Sequence, residues 1–182
     1  MGVAVDTKEI PSFPGFFVSK CGRVFGPHNN NPLYERKWKL SKCPKGRKQK
    51  NVPYFLVAIN KKWRRIHRLL CETYVGPIPF DGAVVDHIDG NTLNNNIDNL
   101  RWCTQRMNLL NRHDNVKGYY VRIHKNGKTV YYTHPYIKYN IKGKTFDTPE
   151  EAHKYYLEGL EIRRADAQKE FEELIQNLGQ YK

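Results

Sequence analysis

Short apolar runs, punctuated along the chain by glycine, proline and asparagine, set the strongest limit on what this chain of 182 residues can fold into. Such runs suit small β modules and cannot build one long layer of helices. Residues 1–10 read as a loose arm. Phe16-Phe17-Val18 and Val24-Phe25 flank Ser19-Lys20-Cys21-Gly22, and this alternation predicts a small hairpin within 13–25. A loop rich in Asn and Lys follows, broken by Pro27, Pro32 and Pro44. Residues 52–59 read as a strand, with 61–66 as its partner across an Asn60-Lys61 turn. Leu69, Leu70, Tyr74 and Val75 are spaced as on a short helix, which Gly76-Pro77 ends.

Residues 83–88 predict another strand, 90–99 an Asn-rich loop and 100–103 a second short strand. Thr104 is placed to cap a helix running to about Asn111, because its hydroxyl can accept from free backbone amides. Farther on, 119–123, 130–133 and 136–141 predict three strands, with turns at Asn126-Gly127 and Lys142-Gly143. A long helix then opens at Thr148-Pro149-Glu150-Glu151, where Thr148 caps, Pro149 takes the first position and Glu151 completes a capping box. Ala152, Tyr156, Leu160, Ala167, Phe171, Leu174 and Leu178 form one stripe along it. The expected class is α+β, with small antiparallel β modules and a long C-terminal helix.

Charge adds a partner to this outline. The formal net charge is +13, and between Arg36 and Arg68 stand 13 Lys or Arg with no Asp or Glu. That is the footprint of a nucleic-acid binder. Trp38, Tyr54, Phe55 and Trp63 are interleaved with these cations and suit stacking on bases as well as phosphate contact. Residues 159–182 are nearly balanced, with four basic and five acidic side chains. No apolar run approaches the roughly 18 to 20 residues of a membrane span, and no signal-like stretch opens the chain, so a soluble, cytoplasmic protein is expected. Cys21, Cys43, Cys71 and Cys103 stand apart without a C-x-x-C pair, which argues against a zinc site and for buried free thiols.

The segment Val85-Asp86-His87-Ile88-Asp89-Gly90-Asn91, continued by Asn99-Leu100-Arg101-Trp102 and Asn108, carries the chemistry. Hydrolysis of a phosphodiester needs a nucleophilic water, a base and a cation to stabilise charge. An Asp carboxylate and an Asn carbonyl are hard oxygen donors that Mg²⁺ accepts while keeping several waters, and a neutral imidazole can take the proton. This segment resembles the H-N-H nuclease motif of phage-encoded homing endonucleases. The resemblance implies a ββα-metal (His-Me finger) core in which His87 is the general base, Asp86 and Asn108 hold one divalent ion, Mg²⁺ or Mn²⁺, and Asn99 braces the loop. Asn108 stands where many relatives carry His. Ile66-His67-Arg68-Leu69 resembles the His-Arg-Leu helix that precedes the motif in these enzymes. Adjacent strand residues point to opposite faces, so Asp86 and His87 can share a site only where the strand ends and bends.

Two flanking stretches extend the resemblance. Val18 to Val24 looks like the small module that often precedes the nuclease motif in phage homing enzymes, and Gly143 to Ala152 resembles the end of the ethylene-response-factor type of DNA-binding domain, which implies a three-stranded sheet in the major groove. Three modules are expected: a DNA-contacting hairpin and basic loop over 1–50, a nuclease core over 51–113 and a DNA-binding sheet and helix over 114–182. The expected DNA contacts are Lys45, Arg47, Lys48, Lys50, Arg64, Arg65, His67, Arg68, Arg101, Arg106, Arg112, Arg122 and Lys138. The partner implied is double-stranded DNA, cut one strand per site by a monomer or dimer in a phage-infected bacterial cytoplasm. A non-catalytic DNA-binding regulator on the same scaffold is the alternative, and a basic RNA-binding protein is a third reading that leaves Asp86, His87 and Asn108 without a joint role.

Overall fold

The computed structural model describes residues 6–41, 53–111 and 116–179. It divides into two units, Met1–Asn108 and Leu109–Lys182. The first unit opens with a four-stranded antiparallel sheet in sequential order: β1 (Thr7–Glu9), β2 (Phe17–Ser19), β3 (Val24–His28) and β4 (Asn31–Glu35). Gly22 makes the β2–β3 turn at φ +83°, a conformation that suits glycine. A second antiparallel sheet joins β5 (Trp38–Leu40), β6 (Phe55–Ile59) and β7 (Lys62–Arg65). Asn60 and Lys61 connect β6 to β7 with φ of +49° and +62°, the two positive values of a type I′ hairpin turn, and Ile59 pairs with Lys62 across it.

Helix α1 (Ile66–Leu70) follows β7 directly and continues as a π-helical turn over Cys71–Val75 before Gly76 stops it. The hairpin β8 (Val84–His87) and β9 (Leu100–Cys103) then leads into α2 (Gln105–Leu110), whose first turn is capped where Thr104 Oγ1 accepts from Met107 N at 3.2 Å. The strand–loop–strand–helix order predicted over 83–111 is therefore present, as is the Thr104 cap.

One core holds these pieces together. Ile10, Phe16, Val18 and Val24 from the first sheet pack with Val57 and Ile59 of β6, Ile66, Leu69 and Leu70 of α1, and Leu100 of β9. Truncating a fully buried member such as Ile59 or Leu70 costs roughly 2–5 kcal/mol. Polar pins reinforce the packing. The buried Glu72 carboxylate accepts from Ser12 N at 2.7 Å and from the Ser12 hydroxyl, and Tyr74 donates its hydroxyl to Val18 O at 2.7 Å. Cys71 and Cys103 are buried free thiols as expected, whereas Cys21 is exposed at the β2–β3 turn, and Cys43 lies outside the described residues.

In the second unit β10 (Tyr120–Ile123), β11 (Thr129–Tyr132) and β12 (Thr145–Phe146) form an antiparallel sheet in sequential order, and α3 (Pro149–Gly179) packs against β11 and β12. The strand predicted over 136–141 is absent. Tyr136 and Ile141 make one isolated bridge, and the residues between them form a 3₁₀ turn that Asn140 ends at φ +53°. The turn residues serve α3 instead: Arg163 lies 4.0 Å over the Tyr136 ring, and Tyr139 and Lys138 both reach Asp166. Thr148 Oγ1 accepts from Glu151 N at 3.3 Å, the cap read from the sequence. Of the predicted stripe, Ala152, Leu160 and Ala167 are buried, while Leu178 is exposed. No helix among the described residues is long and apolar enough to cross a membrane.

Gly118 adopts φ +73°, and a Cβ there would lie 2.0 Å from Tyr156 Cγ, whereas Gly127, at φ +83°, has open space around it. Gly118→Ala therefore adds overpacking to backbone strain and should destabilise by at least about 2 kcal/mol, with Gly127→Ala costing about half of that. Urea unfolding midpoints of the two variants check the ranking; equal losses would show that the Tyr156 ring yields freely.

Candidate active site

The β8–β9 hairpin sets the geometry of the site. Its register pairs Asp86 with Arg101 and His87 with Leu100. Cross-strand partners share a face and neighbours alternate, so Asp86 stands on the side of Arg101 and Cys103, and His87 on the side of Leu100. Both are buried, at 3% and 4% exposure. Strand β8 ends at His87, and the chain turns there, with Gly90 N donating to His87 O at 2.8 Å. The strand end required for a shared site is present, but the register leaves the two side chains on opposite faces of the ribbon.

On the His87 side, Nε2 lies 3.0 Å from Asn95 Oδ1. A carbonyl oxygen only accepts, so this contact requires Nε2 to carry the proton and makes Nδ1 the basic nitrogen of the neutral ring. The His67 ring meets the His87 ring at 5.0 Å in an edge-to-face contact, and Tyr54 lies 5.0 Å beyond His67. His67 is itself buried, at 4% exposure, and its Nδ1 finds no hydrogen-bond partner among the described residues. Burial, then His87, Arg65 and Arg68, push its pKa down to about 3. His67 was expected at the DNA; it is instead a neutral ring packed beneath His87.

On the other side, Asp86 Oδ2 accepts from Arg101 Nε at 3.0 Å and Nη2 at 2.9 Å. Arg101, expected at the DNA, is thus engaged in holding a buried carboxylate. Cys103, on the same face of the ribbon, lies close enough to feel the Asp86 charge. Burial above all, and Asp86 next, push the Cys103 pKa up to about 12, and burial with Cys103 does the same for Cys71. Neither thiol supplies a thiolate at neutral pH, so neither is a ready nucleophile there.

Asn99 braces the loop between the strands. Its Oδ1 accepts from Asp89 N at 3.0 Å, and its Nδ2 donates to Asp89 Oδ1 and to Asn94 O, both at 2.9 Å. Asp89 receives further bonds from Asn94 Nδ2 and Asn91 N; these, the Asn94 contact first, hold its carboxyl below the usual range. Asp89 is committed to the turn and is exposed. Among the described residues no group of three or more His, Cys, Asp or Glu could hold a metal. The donor set of one buried Asp carboxylate and one Asn amide fits a hard divalent cation that keeps water or substrate oxygens on its other positions, and does not fit zinc.

The remaining expected DNA contacts are spread over both units. Arg65 and Arg68 are exposed, with guanidinium groups 4.9 Å over Tyr54 and 5.4 Å over Trp102. Arg64 lies 5.0 Å over Phe13, and Arg106 is half-buried. Arg122 is exposed over the Tyr132 ring, while Lys138 is tied to Asp166 at 3.3 Å on the 3₁₀ turn, off the sheet. Lys45, Arg47, Lys48, Lys50 and Arg112 lie outside the described residues. Asn95 was not singled out in the sequence: it is one of five Asn between 91 and 99, and only the folded loop distinguishes it.

His67 generates a pH-dependent test. Its ordinary pKa of 6.5 falls to about 3 on folding, so below pH 6.5 only the unfolded chain gains the proton and stability is lost as pH falls. The loss at pH 5 is about 2 kcal/mol. Unfolding free energies at pH 7 and pH 5 should therefore differ by about that much more in the parent than in His67→Phe. Identical pH dependence would mean that folded His67 titrates normally.

Known proteins share sequence with this chain. A relative from Bacillus phage SP01, the DNA endonuclease I-HmuI, is 46% identical over 117 residues, covering 59% of this chain and 58% of that protein. An uncharacterized HNH endonuclease of Acanthamoeba polyphaga mimivirus is 38% identical over 99 residues, covering 52% of this chain but 26% of the relative. The chain thus spans from about a quarter to somewhat over half of the length of these relatives. The solved structure of the HNH homing endonuclease I-HmuI, reported for DNA binding and cleavage, aligns over 82% of both chains at 23% identity with a TM-score of 0.44. Residues 64–110, from the end of β7 through α2 and including Asp86, His87, Asn99 and Asn108, match the HNH endonuclease family.

Proposed function

We propose that the chain is a metal-dependent DNA endonuclease of the HNH homing type that nicks one strand of double-stranded DNA at each encounter. The observation that carries this reading is the Asn95–His87 contact at 3.0 Å within the family-matched segment. It holds the ring in the tautomer whose Nδ1 can take a proton. A water attacks the phosphorus as its proton passes to His87 Nδ1, and the P–O bond to the leaving sugar oxygen breaks. Asp86 and Asn108 would hold a divalent ion, Mg²⁺ or Mn²⁺, which supplies charge stabilisation on the phosphate and leaving oxygen. Arg101, with two nitrogens on Oδ2, orients the Asp86 carboxylate for that task. The arginines at 64, 65 and 68 would meet phosphates near the site, and the β10–β11 face with Arg122 would read the groove like the sheet of an ethylene-response-factor type domain. One such site cuts one strand, so a double-strand break requires two sites or two events.

A second reading has an observation of its own. Asp86 is already bridged by two Arg101 nitrogens, as suits a scaffold that retains the motif and binds DNA without cutting it.

Relaxation of supercoiled plasmid, with and without Mg²⁺ or Mn²⁺, separates the two. His87→Ala should lower single-turnover nicking by roughly 10²–10⁴-fold while DNA affinity stays within about twofold, since a base acts in the transition state. Asn95→Ala should cost about tenfold and Asn95→Asp, which keeps an acceptor, distinctly less. Matched losses of affinity and rate in His87→Ala would make His87 a binding residue, and no nicking by the parent with either metal would leave the regulator reading.

A further inference from the structure

Asn95 has a second neighbour besides His87. It lines a cavity of about 540 Å³ in the first unit, between the β2–β3 turn, strands β5 and β6, the start of α1 and the Asn-rich loop. The volume falls within the roughly 300–1,000 Å³ of small-ligand sites. Its walls are apolar: Trp38, which meets Phe55 edge-on at 4.8 Å, faces the cavity with Ile66 and Leu93. Trp38 is 57% and Leu93 42% exposed, so two large apolar side chains stand open to solvent at the mouth. Its polar residues are Lys20, whose ammonium lies 3.6 Å from Asp6 Oδ2, the Cys21 thiol and the amides of Asn95 and Asn96; among the described residues no Asp or Glu lines it. Gly22 closes the floor tightly, since a Cβ there would lie 3.2 Å from Ile66 Cγ2.

A flat aromatic wall, amide groups for base edges and an exposed ammonium group, whose surface ion pair with Asp6 a phosphate can displace, match the chemistry of one nucleotide: a ring to stack, donors and acceptors to pair, a phosphate to neutralise. We propose that this cavity receives a single unstacked deoxynucleotide of the DNA, next to the bond being cut, with its base against Trp38. The proposal rests on the endonuclease reading and names a substrate subsite within it. Stacking on Trp38 offsets the cost of leaving the duplex. Because Asn95 both lines the cavity and accepts from His87 Nε2, a seated nucleotide also stiffens the residue that orients the base, which links recognition to cleavage.

The test uses the full chain and duplexes spanning a nick mapped on plasmid. One mismatched base pair is moved along the duplex, and 2-aminopurine replaces bases near the nick in a parallel set. A mismatch is cheaper to unpair, so one position beside the nick should bind or be cut about tenfold better than the matched duplex. At that position 2-aminopurine fluorescence should change on binding in EDTA. Trp38→Ala and Leu93→Ala, both at exposed positions, should abolish the mismatch preference and alter the fluorescence while circular dichroism stays native. If the parent nicks but no mismatch position is favoured, or the preference persists in both variants, the subsite is wrong and the endonuclease reading stands. If the parent neither nicks nor binds the duplex, both fall together.

Discussion

Asn99 uses one side chain to join three points of the loop between β8 and β9, accepting from Asp89 N and donating to Asp89 Oδ1 and Asn94 O. Much of the candidate site depends on this closure. A 12-residue loop with five Asn has no apolar core to order it, and local side-chain bonds are what such a segment can use in place of burial. The loop in turn fixes the register of the ribbon, in which Asp86 faces Arg101. Slipping that register by one residue would exchange the faces of Asp86 and His87 and break both the arginine clamp and the Asn95 contact. Replacing Asn99 removes donors and an acceptor at once, so its effect should reach His87 without any direct contact between them.

The buried polar groups around the ribbon show where stability has been conceded. An ion pair drawn out of water, such as Asp86 with Arg101, gains little over apolar packing, and the His67 Nδ1, which has no hydrogen-bond partner among the described residues, is a net cost. Both sit beside the pair that the proposed reaction uses, above the apolar cluster of Ile66, Leu69, Leu70 and Leu100. A rigid floor with imperfectly satisfied polar groups over it is the usual arrangement at functional sites, where local rules are broken and compensated elsewhere.

Turn chemistry made much of the fold legible. Asn60-Lys61, Thr104 and Thr148 each act through their own backbone or side chain, so their structural role follows from residue type and position alone. The strand expected over 136–141 failed for the same reason in reverse: alternation is present, but Asn140 takes a positive φ and α3 draws Tyr136, Lys138 and Tyr139 to itself. Tertiary packing overrode a period-two pattern. At the candidate site, what the sequence offered was the series Asp86, His87, Asn99 and Asn108, which falls inside the segment 64–110 that matches the HNH endonuclease family. The partners of these residues were not legible. Choosing Asn95 among five neighbours, or knowing that His67 lies under His87 and Arg101 against Asp86, requires the register and the packing of α1.

Helix α1 explains how a basic segment and a buried base come to be neighbours. Its start alternates two environments: Ile66, His67, Leu69 and Leu70 are buried, whereas Arg65 and Arg68 are exposed. The inward ring of His67 touches His87, and the outward guanidinium groups of Arg65 and Arg68 are close enough to disfavour a proton on His67. Under the proposed function, a phosphate neutralising Arg65 and Arg68 would therefore sit about one helix diameter, roughly 10 Å, from the base. That spacing lets one short helix serve both binding and support. It also explains why a neutral His67 suits the place: a third cation there would repel both arginines and His87, and burial prevents it from forming.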